Sequence, residues 1–213
     1  MLNLNQDIHE IINNAIKAVL PESAVKEALK RSDFQERLKK GRLIVASIGK
    51  AAWRMARAAS DILGSQISGT VITKYSHSMG KISGLEIFEA GHPVLDENTI
   101  TGTRELLKHV KNLTPDDTVL FLVSGGGSAL FEIPAEGVTL SDMKDVTNQL
   151  LACGADIVEI NTRRDYCNFK VARVYPPPCR MQTYTVLLEY CIADNINVAA
   201  LNCHFIKRLK YGK

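Results

Sequence analysis

The sequence lacks any apolar run that approaches the ~20 residues an α-helix needs to cross a bilayer. Its net charge is only +3 over 213 residues, and its basic residues are spread along the chain, which argues against a nucleic-acid-binding surface. The N-terminal segment has neither the basic region nor the apolar core of a secretory signal. The 5 cysteines include no Cys-x-x-Cys pair, as is usual for reduced thiols. We therefore expect a cytoplasmic protein that binds neither membranes nor nucleic acid.

Signatures of several enzyme classes are also missing. The sequence has no Gly-x-x-x-x-Gly-Lys-Ser/Thr motif, which excludes the ordinary P-loop kinases. It shows no zinc-ligand spacing, and no Ser-His-Asp or Cys-His arrangement of the kind that activates a nucleophile. Any catalysis must therefore depend on other groups.

Hydrophobic periodicity predicts alternating helices and strands. Apolar residues recur at helical spacing over residues 7–20, 22–30, 51–63 and 97–112, and over a further helix capped by Thr139 or Ser141. Short apolar runs predict strands at 43–48, 69–73, 85–89, 118–123 and 185–188. This alternation predicts an α/β fold, a Rossmann-like and mostly parallel sheet with helices on both faces.

The end of the predicted strand at 118–123 is the most informative stretch. Three consecutive glycines follow it, with a serine on each side, at residues 124–128. Glycines without side chains let a backbone turn sharply or approach a ligand closely, and main-chain N–H groups with two hydroxyls suit an anion such as phosphate or carboxylate. The alternative is a flexible glycine turn with no ligand.

A second glycine-bearing strand end lies at Gly49 and Lys50, directly after residues 43–48. A cation is unfavourable at the start of a helix, because the helix dipole already makes that end positive, so Lys50 suggests a nearby anion. The alternative is a lysine whose ammonium simply extends into solvent. Ligands of parallel sheets bind beyond the carboxyl ends of the strands, so we expect both loops to contribute to one site.

Four segments, at residues 49–56, 89–96, 124–130 and 154–162, resemble in order the motifs of the glycerate 2-kinase family, the ATP-dependent glycerate kinases. Together they cover residues 40–165, and the resemblance implies a glycerate-kinase-like N-terminal α/β domain over residues 1–165. The likeness weakens beyond them, since Lys170 lacks the two glycines that follow this lysine in the family. We expect residues 166–213 to be a divergent, truncated C-terminal segment of the same domain.

The resemblance also implies roles for individual residues. Lys50 and Arg164 would be catalytic, and Glu159 and Asp194 would bind Mg²⁺, with ATP and D-glycerate as the small-molecule substrates. The implied substrate- or nucleotide-binding residues are Gly49, Ser124, Gly125, Gly126, Gly127, Ser128, Asn161, Thr162 and Lys170. Whether the glycine loop holds the nucleotide or the glycerate stays open.

Several of these residues also have a purely structural interpretation. Arg164 is otherwise a surface arginine, Glu159 an exposed carboxylate, and Asn161 and Thr162 are otherwise capping residues. His92, in the Gly-His-Pro segment, is a candidate for polarising a substrate hydroxyl or an ordinary loop histidine.

Two functions follow from these expectations. The first is phosphoryl transfer from ATP to D-glycerate, giving phosphoglycerate, with the 2-phosphoglycerate isomer implied by the family. The second is a non-catalytic anion- or nucleotide-binding remnant or isoform that keeps the fold but lacks turnover. A sheet edge left unpaired by the C-terminal segment would also favour a homodimer.

Overall fold

The computed structural model describes residues 4–30, 32–38, 41–114, 116–156, 158–160 and 182–187. The helices are α1 (Leu4–Ala18), α2 (Pro21–Leu29), α3 (Ser32–Arg37), α4 (Ala52–Leu63), α5 (Glu97–His109), α6 (Gly127–Leu130) and α7 (Leu140–Ala152), with a 3₁₀ turn at Gly64–Gln66. The strands are β1 (Leu43–Ile48), β2 (Ile67–Lys74), β3 (Leu85–Ala90), β4 (Thr118–Val123) and β5 (Gln182–Leu187).

All five strands run parallel in one sheet of order β3-β2-β1-β4-β5. The chain proceeds from β1 outward through β2 to β3, and then crosses to the other side of β1 to form β4. The gap between the loops that follow β1 and β4 is therefore the topological switch point, where ligands of such sheets bind. The predicted α/β fold with a parallel sheet is confirmed.

Side chains of the central strands alternate between two cores, one on each face of the sheet. Val45 of β1 and Leu120 of β4 pack with Met55 of α4 and with α2 on one face. Ala46 and Phe121 point the other way and pack with α5. Helices thus cover both faces, as buried parallel strands require.

The first helix differs from its prediction in a way that has a physical cause. The predicted helix covers residues 7–20 and stops before Pro21, but α1 begins at Leu4 and ends at Ala18, and Pro21 begins α2. Proline suits the first position of a helix, because its missing N–H is not needed there and its φ is already helical. The apolar stripe of α1 is exposed, with Ile11 at 68% and Ile12 at 49%.

Capping boxes begin helices α5 and α7. The Asp96 carboxylate accepts from the Thr99 N–H at 3.0 Å at the start of α5. Thr139 rather than Ser141 caps α7, and its hydroxyl accepts from the Asp142 N–H at 3.1 Å. None of the helices in the described residues is both long and apolar enough to traverse a lipid bilayer.

A buried carboxylate fixes the opposite edge of the sheet, where β1 and β4 begin. Asp117 accepts the Arg42 main-chain N–H at 2.8 Å, the Arg42 guanidinium at 2.8 Å and the Thr114 N–H at 2.8 Å. The hydrogen bond from the Arg42 guanidinium holds the pKa of Asp117 far below its usual range. This cluster joins the starts of the two central strands at the edge away from the switch point.

Candidate active site

The loops after β1 and β4 meet directly at the switch point. The Lys50 N–H donates to the Gly125 carbonyl oxygen at 2.9 Å, and the Ser124 N–H donates to the Ile48 carbonyl oxygen at 2.9 Å. The two glycine-bearing strand ends that the sequence singles out are therefore joined by main-chain hydrogen bonds. Lys50 lies just before α4, whose N-cap is Ala51.

The two peptide groups that flank the Lys50 Cα atom are held on every side. The Gly49 carbonyl oxygen accepts from the buried Thr73 hydroxyl at 3.0 Å, and the Lys50 carbonyl oxygen lies 2.9 Å from His77 Nδ1. The Ala51 N–H donates to the Ser124 hydroxyl oxygen at 3.0 Å. With the bond to the Gly125 carbonyl, these contacts fix the direction in which the Lys50 side chain leaves the backbone.

The Lys50 stem lies along the glycine loop. A Cβ atom built on Gly126 would lie 3.4 Å from Lys50 Cγ, and one built on Gly125 would lie 3.8 Å from Lys50 Cε. The same point above Gly126 lies 2.7 Å from His92 Nε2. Gly126 has a φ of 85°, so its missing side chain serves both the turn and the close packing of His92. Gly125 and Gly126 thus form a surface without side chains, the glycine floor, on which the Lys50 stem and the His92 imidazole lie.

Ser124 has a structural task in this arrangement. It is 7% exposed, and its hydroxyl donates to the Ile48 carbonyl oxygen at 3.3 Å while it accepts the Ala51 N–H. A side chain on Gly49 would collide with it, since a Cβ there would lie 2.4 Å from Ser124 Oγ. Ser128, by contrast, is half-buried at the start of α6. The predicted ligand role is therefore better suited to Ser128 than to Ser124.

The Lys50 ammonium makes this site electropositive. Lys50 is exposed, and within the described ranges no carboxylate forms an ion pair with it. The first turn of α4 carries no acidic residue that would offset the positive end of its dipole. An exposed cation beside a loop without side chains suits the anionic end of a ligand.

A polar network supports the β2–β3 side of the site. The Glu89 carboxylate accepts from the N–H groups of His77 and Ser78 at 3.0 and 2.9 Å. Tyr75 donates its hydroxyl to Asp96 at 2.7 Å, and this hydrogen bond raises the pKa of Tyr75. These contacts hold the loop that carries His77 beside Lys50.

Glu159 caps a helical turn. Its carboxylate accepts the Asp156 N–H at 3.2 Å, and its own N–H donates to the Asp156 carboxylate at 2.9 Å. Nowhere in the part of the chain that the structure describes do three His, Cys, Asp or Glu side chains come together as metal ligands. The metal role of Glu159 stays a prediction. The other predicted site residues, Asn161, Thr162, Arg164, Lys170 and Asp194, lie outside the described residues.

The sequence interpretation missed Thr73 and His77, both of which hold the Lys50 backbone. Thr73 lies near the end of a predicted strand, so its position at the same edge of the sheet was available from the pattern. His77 follows β2 in a loop with no motif, and only the observed order of strands brings it to Lys50. The sequence thus predicted the parts of the site that follow β1 and β4, but not Thr73 near the end of β2 or His77 after it.

Known proteins resemble most of the chain. A family model described as "Domain of unknown function (DUF4147)" matches residues 7–172. A Thermotoga maritima protein named D-glycerate 2-kinase is 47% identical over 193 residues, which cover 90% of this chain and 45% of that protein. A Pyrococcus horikoshii protein named glycerate 2-kinase is 43% identical over 204 residues, which cover 91% of this chain and 46% of that protein.

The fold is similar to that of a solved structure as well. The crystal structure of a glycerate kinase from Thermotoga maritima superimposes with a TM-score of 0.74 at 46% identity, covering 92% of this chain and 46% of that one. The chain therefore spans less than half the length of the curated relatives that it matches.

Proposed function

We propose that this chain, which belongs to the family of the DUF4147 domain, uses the Lys50 site in phosphoryl transfer from ATP to D-glycerate. The product is phosphoglycerate, with the phosphoryl group on the 2-hydroxyl. The observation that carries the proposal is the exposed Lys50 side chain, on a main chain held by hydrogen bonds, beside the glycine loop at the switch point. The names of the two relatives supply the substrate.

The site matches what such a reaction demands of a protein. A bond forms between the glycerate hydroxyl oxygen and the γ-phosphorus of ATP, the bond from that phosphorus to the β,γ-bridging oxygen breaks to release ADP, and the hydroxyl proton passes to solvent. Catalysis then depends on positioning and on neutralising the charge of the transferring group. Lys50 supplies a cation whose backbone is already fixed, so little reorganisation is needed when the anion binds. Arg164 would be a second cation.

The glycine loop and its neighbours complete the proposed binding surface. Main-chain atoms of Gly125, Gly126 and Gly127 would approach the anionic end of a ligand because no side chain stands between them. Ser128 would add a hydroxyl, and Gly49 allows the close contact with Ser124 that holds the two loops together. Asn161, Thr162 and Lys170 complete the proposal from the sequence resemblance.

The described residues of the site suit a bound nucleotide phosphate better than a metal ion held by protein ligands alone. An anionic group suits the exposed Lys50 ammonium, which has no carboxylate partner among the residues described. Mg²⁺ often keeps several waters and binds through substrate phosphates with one or two carboxylates, so the absence of a three-ligand cluster in the described ranges is compatible with it. Glu159 and Asp194 would hold the ion, which supplies charge neutralisation when bound.

A coupled ADP-release assay tests the proposal. The purified 213-residue chain receives ATP, Mg²⁺ and D-glycerate, with a Lys50→Ala variant of equal melting temperature as the control. Turnover above that control supports phosphoryl transfer, and its absence rejects activity for this chain. Calorimetry then tests the second function, since saturable binding without turnover is what a non-catalytic binding module would show. Fractionation and sedimentation test the predicted cytoplasmic location and the predicted homodimer.

A further inference from the structure

The contact between His77 and Lys50 concerns the main chain rather than the ammonium. His77 Nδ1 lies 2.9 Å from the Lys50 carbonyl oxygen. A carbonyl oxygen can only accept, so the imidazole must carry a proton on Nδ1, and its Nε2 is the acceptor whenever the ring is neutral. The contact therefore fixes one tautomer of an exposed histidine, and it persists whether or not the ring is charged.

The other hydrogen bonds around Lys50 come from groups that the fold buries or pairs in any case, and one of them, from the Thr73 hydroxyl at 3.4 Å, shares the Lys50 carbonyl oxygen with His77. Thr73 is fully buried, Ser124 is nearly so, and the Gly125 carbonyl belongs to the glycine loop. His77 is the exposed member of the set, and its own N–H is anchored by Glu89. An exposed side chain contributes little to the core, and the contact that connects His77 with the site is the one with the Lys50 carbonyl oxygen.

We infer that His77 is a positioning residue of the site: through the Lys50 carbonyl it fixes the Lys50–Ala51 peptide group and hence the place of the Lys50 ammonium. This inference rests on the proposed function only in taking an anion as the ligand of Lys50. Loss of the hydrogen bond leaves that peptide group held by Ser124 at its N–H and by the longer Thr73 contact, 3.4 Å, at its carbonyl, so the ammonium samples a wider range of positions and meets the anion less often.

Three substitutions of His77 separate this role from the alternatives. His77→Ala removes the donor. His77→Asn retains an N–H₂ group near the position of Nδ1 without any titratable charge, whereas His77→Gln places its amide near the position of Nε2. Asn therefore restores the hydrogen bond to the Lys50 carbonyl oxygen. Gln restores only a contact that His77 Nε2 would make with a ligand.

The affinity for ATP with Mg²⁺ and for D-glycerate, measured by calorimetry, is the first readout. We expect His77→Ala to weaken binding about twofold to tenfold, the worth of one hydrogen bond, with an unchanged melting temperature. His77→Asn restores most of the affinity and His77→Gln does not. His9→Ala, which removes an exposed histidine from α1, has no effect. Wild-type affinity in His77→Ala, rescue by Gln, or failure of Asn to rescue would each overturn the inference.

The imidazole tautomer provides a readout that needs no ligand. Nitrogen-15 spectra of the histidine rings should show the neutral His77 ring with its proton on Nδ1. A proton on Nε2 with a bare Nδ1 would overturn the inference even in a protein that binds ATP. If the wild-type chain binds neither ATP nor D-glycerate, the proposed function fails. The tautomer still shows whether His77 donates its Nδ1 proton to the Lys50 carbonyl oxygen.

Discussion

The main-chain N–H of Lys50 donates to the carbonyl oxygen of Gly125 at 2.9 Å. Together with the hydrogen bonds of Ser124 to Ile48 and Ala51, this bond connects the loop after β1 with the loop after β4 across the topological switch point. Because it leaves the lysine stem lying along Gly125 and Gly126, the cation and the glycine floor belong to the same crevice. An anion bound at this crevice would therefore meet both the Lys50 ammonium and the glycine loop.

The two serines that flank the glycines should respond differently to replacement by alanine. Ser124→Ala removes the acceptor of the Ala51 N–H and should lower the free energy of unfolding by about 1–3 kcal/mol. Ser128→Ala removes a half-buried hydroxyl and should change it by less than about 0.5 kcal/mol, while it weakens ligand binding. Urea denaturation and calorimetry measure the two effects, and equal losses of stability would contradict the assignment.

Gly126→Ala tests the packing of His92 on the glycine loop. Gly126 and Gly137 both have positive φ angles, of 85° and 82°, so an alanine at either should cost about 1–2 kcal/mol for its backbone. Only at Gly126 would the new methyl group lie 2.7 Å from His92, since nothing lies within 4 Å at Gly137. Thermal or urea unfolding should show Gly126→Ala as the costlier change by about 1 kcal/mol or more.

The matched background for that comparison is His92→Ala. If the extra cost arises from the imidazole, it should disappear when Gly126→Ala is made in the His92→Ala protein. An extra cost that persists there would assign the strain to some other neighbour.

Asp117 predicts an acid-dependent loss of stability. Its pKa is held low by Arg42, so the carboxylate stabilises the fold at pH values above its unfolded pKa, ~3.9, and this contribution is lost as the pH falls toward the folded value. Asp117→Asn should cost about 1–3 kcal/mol at neutral pH, because an amide cannot accept from all the donors. Below about pH 4 the difference between the variant and the wild type should begin to shrink, and it should keep shrinking as the pH falls toward the folded pKa.

Asp61→Asn is the control for that experiment. Asp61 pairs with Arg57 on the surface of α4, with both side chains 51% exposed. Such pairs contribute about 0–1 kcal/mol, so this variant should follow the wild-type pH profile of unfolding free energy. A parallel pH profile for Asp117→Asn would refute the role of the buried carboxylate.

The parts of the fold that follow from local patterns were predictable. Residues 43–48 and 118–123 are strands with the predicted bounds, because a short apolar run between turn signals is enough to indicate a buried strand. Thr139 was one of two predicted caps, and the local sequence of a capping box contains that information. The two glycine-bearing strand ends were found for the same reason.

Relations between distant segments were not predictable in the same way. The contact of His77 with Lys50 depends on which strand lies beside β1, and hydrophobic periodicity does not specify that order. The stripe of isoleucines on α1 predicts an apolar face but not what covers it, and Ile11 is exposed here. The short helices α3 and α6 have too few residues for a helical period to be recognised.

Calorimetric titration of ATP with Mg²⁺ and of D-glycerate into the wild-type chain and into Lys50→Met tests whether the Lys50 ammonium binds an anionic ligand. Methionine keeps much of the apolar stem and removes the ammonium, so the packing along Gly125 and Gly126 is largely retained. We predict saturable binding of at least one ligand to the wild type, and an affinity about 10- to 100-fold lower for the variant, as the loss of a charged hydrogen bond implies. Equal affinities in the two proteins would contradict the account.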